Sequence, residues 1–360
     1  MEDFKQILDI APYALKKREK RILLSNYLKK LSVHHYNNCI PYKSMVDAVR
    51  ADLGSLNKLA EIPFIPVRLF KMMELRSVSR EEVIKTMTSS GTTGQDVSKI
   101  YLDRETSSNQ TKILTKIVSS FIGIKRTPML IIDTDAILKN RNMFSARAAG
   151  ILGFSMFGSK RVFALNEDMS LKVDILKEFL EIHKSKPIFL FGFTFMIWQH
   201  FYRQLKENNI HIDLSDGFLI HGGGWKKLNS DSVTSEEFKN KLSEMTQIKH
   251  VHDYYGMVEQ TGTIYMECEE SHLHCPVYSD IIIRRPFDFS EAGIGEKGIV
   301  QVLSILPKSY PGHSLLTEDE GILLGEDDCK CGRLGKYFKI VGRLKNAEIR
   351  GCSDTYAEKN

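Results

Sequence analysis

Between Thr88 and Gly94 the chain reads Thr88-Ser89-Ser90-Gly91-Thr92-Thr93-Gly94, a run of hydroxyls and glycines with no apolar side chain to anchor it. Glycines let a backbone approach a phosphate chain and turn its N–H groups inward, and Ser and Thr hydroxyls add further donors. The GxxxxGK[ST] spacing of a P-loop is absent. On these seven residues alone, a phosphate cradle and an ordinary turn are both open readings. A second group is soft: Cys329-Lys330-Cys331 lies in an acidic, glycine-flanked loop, and Cys268, His272, His274 and Cys275 lie upstream. Two such clusters suit a tetrahedral zinc site with Cys329 and Cys331 as two ligands, and free thiols in a reducing compartment are the alternative. Four protein ligands leave no open position, so such an ion is structural. Cys352 follows Arg343, Lys345 and Arg350. Cations nearby lower a thiol's pKa and raise its nucleophilicity, and an inert tail thiol is the other reading. Cys39 stands among polar residues and reads as incidental.

Elements able to position these residues follow from hydrophobic periodicity. Pro128–Asp133, Pro187–Phe193, Gly217–His221 and Ile248–Tyr255 read as strands. Between them, Ser170–Lys184 reads as a helix with Leu171, Ile175, Leu176 and Phe179 on one face. A second helix runs from Thr194 to about Asn208, and a third opens at the capping box Thr234-Ser235-Glu236-Glu237. Strands alternating with helices predict a parallel sheet with helices on its faces, an α/β fold. After Glu267 the strands shorten, as in Asp280–Arg285 and Gly298–Ser304, and glycine turns become frequent. That change predicts a smaller, more antiparallel subdomain. The first 31 residues read as helical and basic, with Leu24, Tyr27, Leu28 and Leu31 as a packed stripe and a solvated lysine face; a docking face for a partner or membrane is the other reading.

A hydrophobic share of 42% supports a large buried core. The excess of 50 Lys+Arg over 45 Asp+Glu is small and scattered, which excludes nucleic acid as an expected partner and is compatible with an anionic substrate. No stretch approaches the roughly 18 apolar residues of a membrane span. The opening MEDFKQ carries acids early, unlike a secretory signal, so a cytoplasmic, reduced protein is expected.

The hydroxyl–glycine loop resembles the phosphate motif of the adenylate-forming superfamily, which includes acyl-CoA synthetases and firefly-type luciferases. Further likenesses follow in order. Gly222-Gly223-Gly224 resembles the glycine turn that lies against adenine. Tyr255-Gly256-Met257-Val258-Glu259 is similar to the segment whose glutamate holds Mg²⁺, and Thr317-Glu318-Asp319 to the segment whose aspartate binds ribose. Gly342-Arg343 resembles the opening of the interdomain hinge, and Arg343 is expected to contact ribose or phosphate, with a surface ion pair as the other reading. Singly, the glycines also fit a tight turn, Glu259 a solvated acid and Asp319 a helix cap. The resemblance implies ATP and Mg²⁺ as cofactors and the superfamily's layered catalytic domain.

The string Gly222-Gly223-Gly224-Trp225-Lys226, the Thr-Ser-Ser-Gly-Thr opening and the late cysteine also resemble the acyl-protein synthetases of LuxE type. That resemblance covers residues 60–360. It implies activation of a carboxylic, fatty acid as its adenylate, acceptance of the acyl group by Cys352, and delivery to a partner reductase. CoA and a carrier-protein phosphopantetheine are the alternative acceptors, and a non-catalytic subunit of a reductase complex the remaining one. Phenylacetate–CoA ligase relatives carry a similar cysteine, histidine and Cys-x-Cys set, and by that likeness Cys268 and His274 complete the zinc ligands, with Cys275 or His272 as substitutes. Three departures stand out: Gln95–Lys99 replaces the usual Pro-Lys, Val258 replaces a threonine, and only nine residues follow Gly351. The expected organisation is a helical region over 1–60, a catalytic domain over 61–341, and a hinge-like motif with a short tail over 342–360, too short for a separate lysine-bearing domain.

Overall fold

The computed structural model describes residues 2–89, 97–138, 146–184, 186–224 and 233–344. The chain divides into two compact units. Among the described residues, one comprises Phe121–Tyr255, and the other joins those up to Ser120 with those from Gly256 to Leu344.

The Phe121–Tyr255 unit carries the expected parallel sheet. Its strand order is Gly158–Leu165, Thr127–Thr134, Phe189–Phe193, Phe218–Gly222 and His250–Tyr255. In-register pairing aligns Leu130 with Leu190, Leu190 with Leu219, and Leu219 with Val251. The three leucines are fully buried, and each stabilises the fold by about 1.5–3 kcal/mol relative to exposure. The same register brings the carboxyl ends Phe193, Gly222 and Tyr254 side by side, the edge where open α/β sheets bind ligands. The helix Val173–Ile182 differs from expectation at one position. Its buried stripe runs through Leu176, Phe179 and the following His183. Ile175, about 100° round the helix from Leu176, is 45% exposed. The helix from Thr194 runs to Glu207 but passes through a π-helical segment, Ile197–Tyr202. Thr234 caps the helix Ser235–Thr246, its hydroxyl accepting from Glu237 N–H at 3.1 Å.

The other unit is mostly antiparallel, ordered Ser279–Arg284, Lys297–Ser304, Ser314–Glu326, Lys336–Arg343, Leu273–His274 and Tyr265–Glu267. Ile65–Pro66 adds a parallel strand beside Ser314–Glu326. The N-terminal segment is helical over Glu2–Asp9, Lys17–Asn38 and Ile40–Ala48, rather than through the first 31 residues without interruption. The break contains Pro12, whose carbonyl accepts from Val277 N–H at 2.7 Å. Leu24, Leu28 and Leu31 are buried as expected. Lys20 departs from the solvated lysine face. It is 2% exposed, its Nζ donates to the Cys275 carbonyl at 2.9 Å, and Asp280 lies 3.8 Å away. A buried ammonium survives only with such partners.

Candidate nucleotide and zinc sites

Strands Lys85–Thr88 and Lys99–Leu102 pair antiparallel, with Thr88 opposite Lys99, and form the stem of the hydroxyl–glycine loop. Above them Ser89 N–H donates to the Ser98 carbonyl at 3.2 Å, and Ser98 N–H donates to Ser89 Oγ at 3.0 Å. Ser90, Gly91, Thr92, Thr93 and Gly94 lie outside the described residues.

Glu259 stands on the short turn Val258–Gln260 and is 6% exposed, so it is not a solvated surface acid. Burial pushes its carboxyl above the usual range, while a hydrogen bond from the Ser98 hydroxyl pulls it down and the nearby Glu318 pushes it up. Oxygen donors of this kind suit a hard cation such as Mg²⁺.

Asp319 lies within the strand Ser314–Glu326, which rules out a helix cap. Its N–H donates to Thr317 Oγ1 at 3.1 Å, and Arg343 Nε approaches its carboxylate at 3.2 Å. The strand Lys336–Arg343 pairs so that Asp319 and Arg343 are direct partners. Glu318 accepts from Arg68 Nε and Nη2 at 2.9 and 2.6 Å, and its other oxygen lies 3.5 Å from Arg343. Asp319 thus belongs to a network of two part-buried acids and two exposed arginines. Arg68 and Glu318 are members that motif reading did not single out.

Gly222 ends its strand, and Gly223 and Gly224 have φ of +88° and +51°. A Cβ on Gly222 would meet the Tyr254 ring at 2.7 Å, and one on Gly223 would meet Phe193 at 2.8 Å. Only glycine brings this turn so close to two aromatic rings. The neighbouring His221 is buried; its Nδ1 lies 2.9 Å from Thr194 Oγ1, and burial holds its pKa down at about 3. Tyr255 and Gly256 follow directly on the adjacent strand end. At the end of the apolar strand Thr127–Thr134, Asp133 and Arg147 form a buried bidentate pair at 2.7 and 2.8 Å. An acid closing an apolar strand was the sequence signal for that pair. A cavity of about 360 Å³ lined by His183, His211 and Gly217 opens at the amino ends of the strands. Gly222 lies at the opposite, carboxyl end of its strand.

Cys268, His274, Cys329 and Cys331 converge, their ligand atoms all within 4.8 Å of one another. His274 Nε2 is 3.3 Å from Cys331 Sγ, and Cys268 Sγ is 3.9 Å from Cys329 Sγ. Pairing of Leu273–His274 with Tyr265–Glu267 and with Lys336–Arg343 brings these distant positions together. Burial lowers the His274 pKa to about 4, which leaves the imidazole neutral, as a ligand requires. Burial pushes the Cys268 thiol up to about 12, a cost that a bound cation offsets by holding the thiolate. His272 Nδ1 also comes within 3.3 Å of Cys329 Sγ. Cys275 lies outside the group, beside Lys20 and Asp280. The donor set fits zinc. Trp225, Lys226, Lys345, Arg350 and Cys352 lie outside the described residues.

The sequence profile of the family described as acyl-protein synthetase, LuxE, matches residues 2–360. The chain belongs to that family. As a member it is a ligase. It is 25% identical over 350 residues to a long-chain-fatty-acid–luciferin-component ligase of Aliivibrio fischeri, covering 93% of this chain and 88% of that one. To the Vibrio harveyi protein of the same name it is 24% identical, covering 95% and 90%. Its fold is similar to that of 2-hydroxyisobutyryl-CoA ligase in an open conformation with 2-HIB-AMP and CoA, at a TM-score of 0.72, 16% identity, and 94% and 78% coverage. The same ligase in its thioesterification state gives 0.72, 16%, and 93% and 70%. The fold is thus that of the adenylate-forming ligases, as the motifs implied. No described helix is long and apolar enough to cross a membrane.

Proposed function

We propose that this acyl-protein synthetase activates a fatty acid with ATP and Mg²⁺ and then carries the acyl group on Cys352. The observation that carries the reading is the buried Glu259 carboxylate on the turn that directly follows the Tyr255-Gly256 segment. In the first step a carboxylate oxygen attacks the α-phosphorus, the bond to the bridging oxygen breaks, and pyrophosphate leaves. Such a step needs positioning and charge neutralisation more than covalent help from the protein. Loop residues Ser89–Gly94, with Thr88 at the stem, take the phosphates. Glu259 holds the cation, Asp319 takes the ribose hydroxyls, and Arg343 orients Asp319. The Gly222–Gly224 turn and the Tyr255–Gly256 segment lie against the base. Mg²⁺ supplies charge neutralisation of the phosphates when bound.

In the second step the Cys352 thiolate attacks the acyl carbon, a thioester forms, and AMP leaves. An acyl reductase is the partner to which the thioester is delivered. The names of the Aliivibrio fischeri and Vibrio harveyi relatives support the long-chain acid and the luciferin-component context. In this reading residues 1–60 are a helical region, 61–341 the catalytic domain, and 342–360 the thiol-bearing tail. The protein acts in the cytoplasm. Zinc bound by Cys268, His274, Cys329 and Cys331 is a structural cofactor, far in role from the adenylation chemistry.

Acid-dependent exchange of labelled pyrophosphate into ATP tests the first step. The reading expects exchange with long-chain fatty acids, retained in Cys352→Ala. Exchange with no carboxylic acid at all would refute it. Exchange retained together with acyl transfer to CoA by Cys352→Ala would move the acceptor from this thiol to CoA.

A further inference from the structure

Residues 10–20 run from the end of the helix Glu2–Asp9 into the first turn of the helix Lys17–Asn38. The Ile10 carbonyl accepts from the Tyr278 hydroxyl at 2.8 Å, and the Pro12 carbonyl from Val277 N–H at 2.7 Å. The Tyr13 carbonyl accepts from Leu334 N–H at 3.2 Å. Lys17 N–H donates to Asp327 Oδ2 at 2.8 Å, Lys17 Nζ lies 2.8 Å from Glu326, and Lys20 Nζ donates to the Cys275 carbonyl at 2.9 Å. Tyr278, Val277 and Cys275 follow His274 by at most four residues, Leu334 follows Cys331 by three, and Asp327 and Glu326 precede Cys329 by two and three. All of these anchors thus sit on the two stretches of chain that carry the zinc ligands. Asp327 also closes one of them, its Oδ1 accepting from Gly335 N–H at 2.7 Å. The Tyr13 ring stands edge-on to His274 at 6.0 Å, with the Arg333 guanidinium 6.0 Å from its centre. Arg333 in turn pairs with Glu269, the neighbour of Cys268, at 3.2 Å.

Strand pairing holds His274 opposite Tyr337, but Cys329 and Cys331 lie on the turn between the strands Ser314–Glu326 and Lys336–Arg343. Across that gap stand the Cys268–Cys329 and His274–Cys331 pairs at 3.9 and 3.3 Å, and thiols are weak hydrogen-bonding groups. Four metal–ligand bonds in their place fix the turn against the sheet. We propose that the zinc centre fastens residues 10–20 to the sheet, so that loss of the ion frees this segment while the strands stay paired. The proposal rests on the zinc reading above. The coupling is reciprocal: a segment that docks only when zinc is bound tightens zinc in return.

The test is hydrogen–deuterium exchange of the full-length protein, read by mass spectrometry on peptides covering residues 10–20. It is made on the zinc-loaded protein, after zinc removal by a chelator, and after zinc is restored. Removal speeds exchange in this segment about tenfold or more and restored zinc reverses it, while the strand Lys297–Ser304 changes by less than about twofold. Tyr278→Phe deletes the tie to Ile10 without touching a ligand, so it raises the zinc dissociation constant about three- to tenfold, the size of a single hydrogen bond. Unaltered exchange in residues 10–20 on zinc loss overturns the proposal, and so does unaltered zinc affinity in Tyr278→Phe. An equal rise in Lys297–Ser304 also overturns it, since that marks unfolding of the whole unit. A wild-type protein that takes up no zinc removes the zinc reading and the proposal with it, a result distinct from zinc bound and released with exchange unaltered.

Discussion

Replacing Gly223 by alanine tests the glycine turn in a way that separates two costs. Gly223 holds φ +88°, a conformation that charges an L-residue about 1–2 kcal/mol. Its new methyl would lie 2.8 Å from Phe193. Phe193 is 5% exposed and in edge contact with Phe191, so it cannot swing into solvent, and overpacking of this kind costs about 1–3 kcal/mol. The sum is about 2–5 kcal/mol, a large share of a typical domain stability of about 5–15 kcal/mol. Gly224 is the internal control. It has φ +51° and nothing within 4 Å of its virtual Cβ, so Gly224→Ala costs only the conformational part, about 1 kcal/mol. Urea unfolding read by fluorescence gives both values. The difference between the two variants, about 1–3 kcal/mol, is the packing of the turn against Phe193. Equal destabilisation of both variants, or less than about 0.5 kcal/mol for Gly223→Ala, refutes the close-approach argument.

Three further outcomes are expected. Glu259→Gln keeps the size of the buried side chain and removes its charge, so pyrophosphate exchange falls by about 100-fold or more while thermal stability changes little; exchange within tenfold of wild type contradicts the cation role. The purified protein carries one zinc per chain by elemental analysis, and Cys329→Ser loses it; at zinc 100 times its dissociation constant, the ion stabilises the fold by about 2.7 kcal/mol, seen as a lower melting temperature in the variant, and a metal-free wild type contradicts the assignment. Burial holds His221 and His313 at about 3, with His34 also lowering His313, and His35 stacks on His313 at 4.8 Å. A folded pKa below the unfolded value means that the unfolded chain takes the proton first. The stability these histidines confer is complete above about pH 6.5 and is lost as pH falls below it, by up to about 1.4 kcal/mol per pH unit for each. His313→Gln shallows that slope between pH 6.5 and 4.5, and a flat wild-type profile across the window contradicts it.

The parallel strands were legible because buried strands such as PMLIID and PIFLFGF read as continuous apolar runs, and their observed ends lie within two residues of the expected ones. Thr234 was legible as a cap because capping depends on local spacing alone. The interruption at Pro12 and the burial of Lys20 were not, since both depend on partners more than 250 residues away, Val277 and Asp280. The site divides on the same line. Glu259, Asp319 and the glycine turn were found through motifs that survive in linear sequence. Arg68 joins the site only through its contact with Glu318, 250 residues away in the chain. The zinc ligands lie between the two cases. The Cys-x-Cys pair was visible by itself, whereas the choice of Cys268 and His274 over Cys275 came only from the family likeness, and strand pairing is what brings these two to the pair.

The central claim is acyl activation followed by capture on the chain's own thiol. Intact-mass spectrometry tests it most directly, after incubation of wild type and Cys352→Ala with ATP, Mg²⁺ and a series of fatty acids. The account predicts an added acyl mass on the wild type alone, dependent on ATP and lost on treatment with hydroxylamine. No added mass on the wild type, or the same mass on Cys352→Ala, contradicts it.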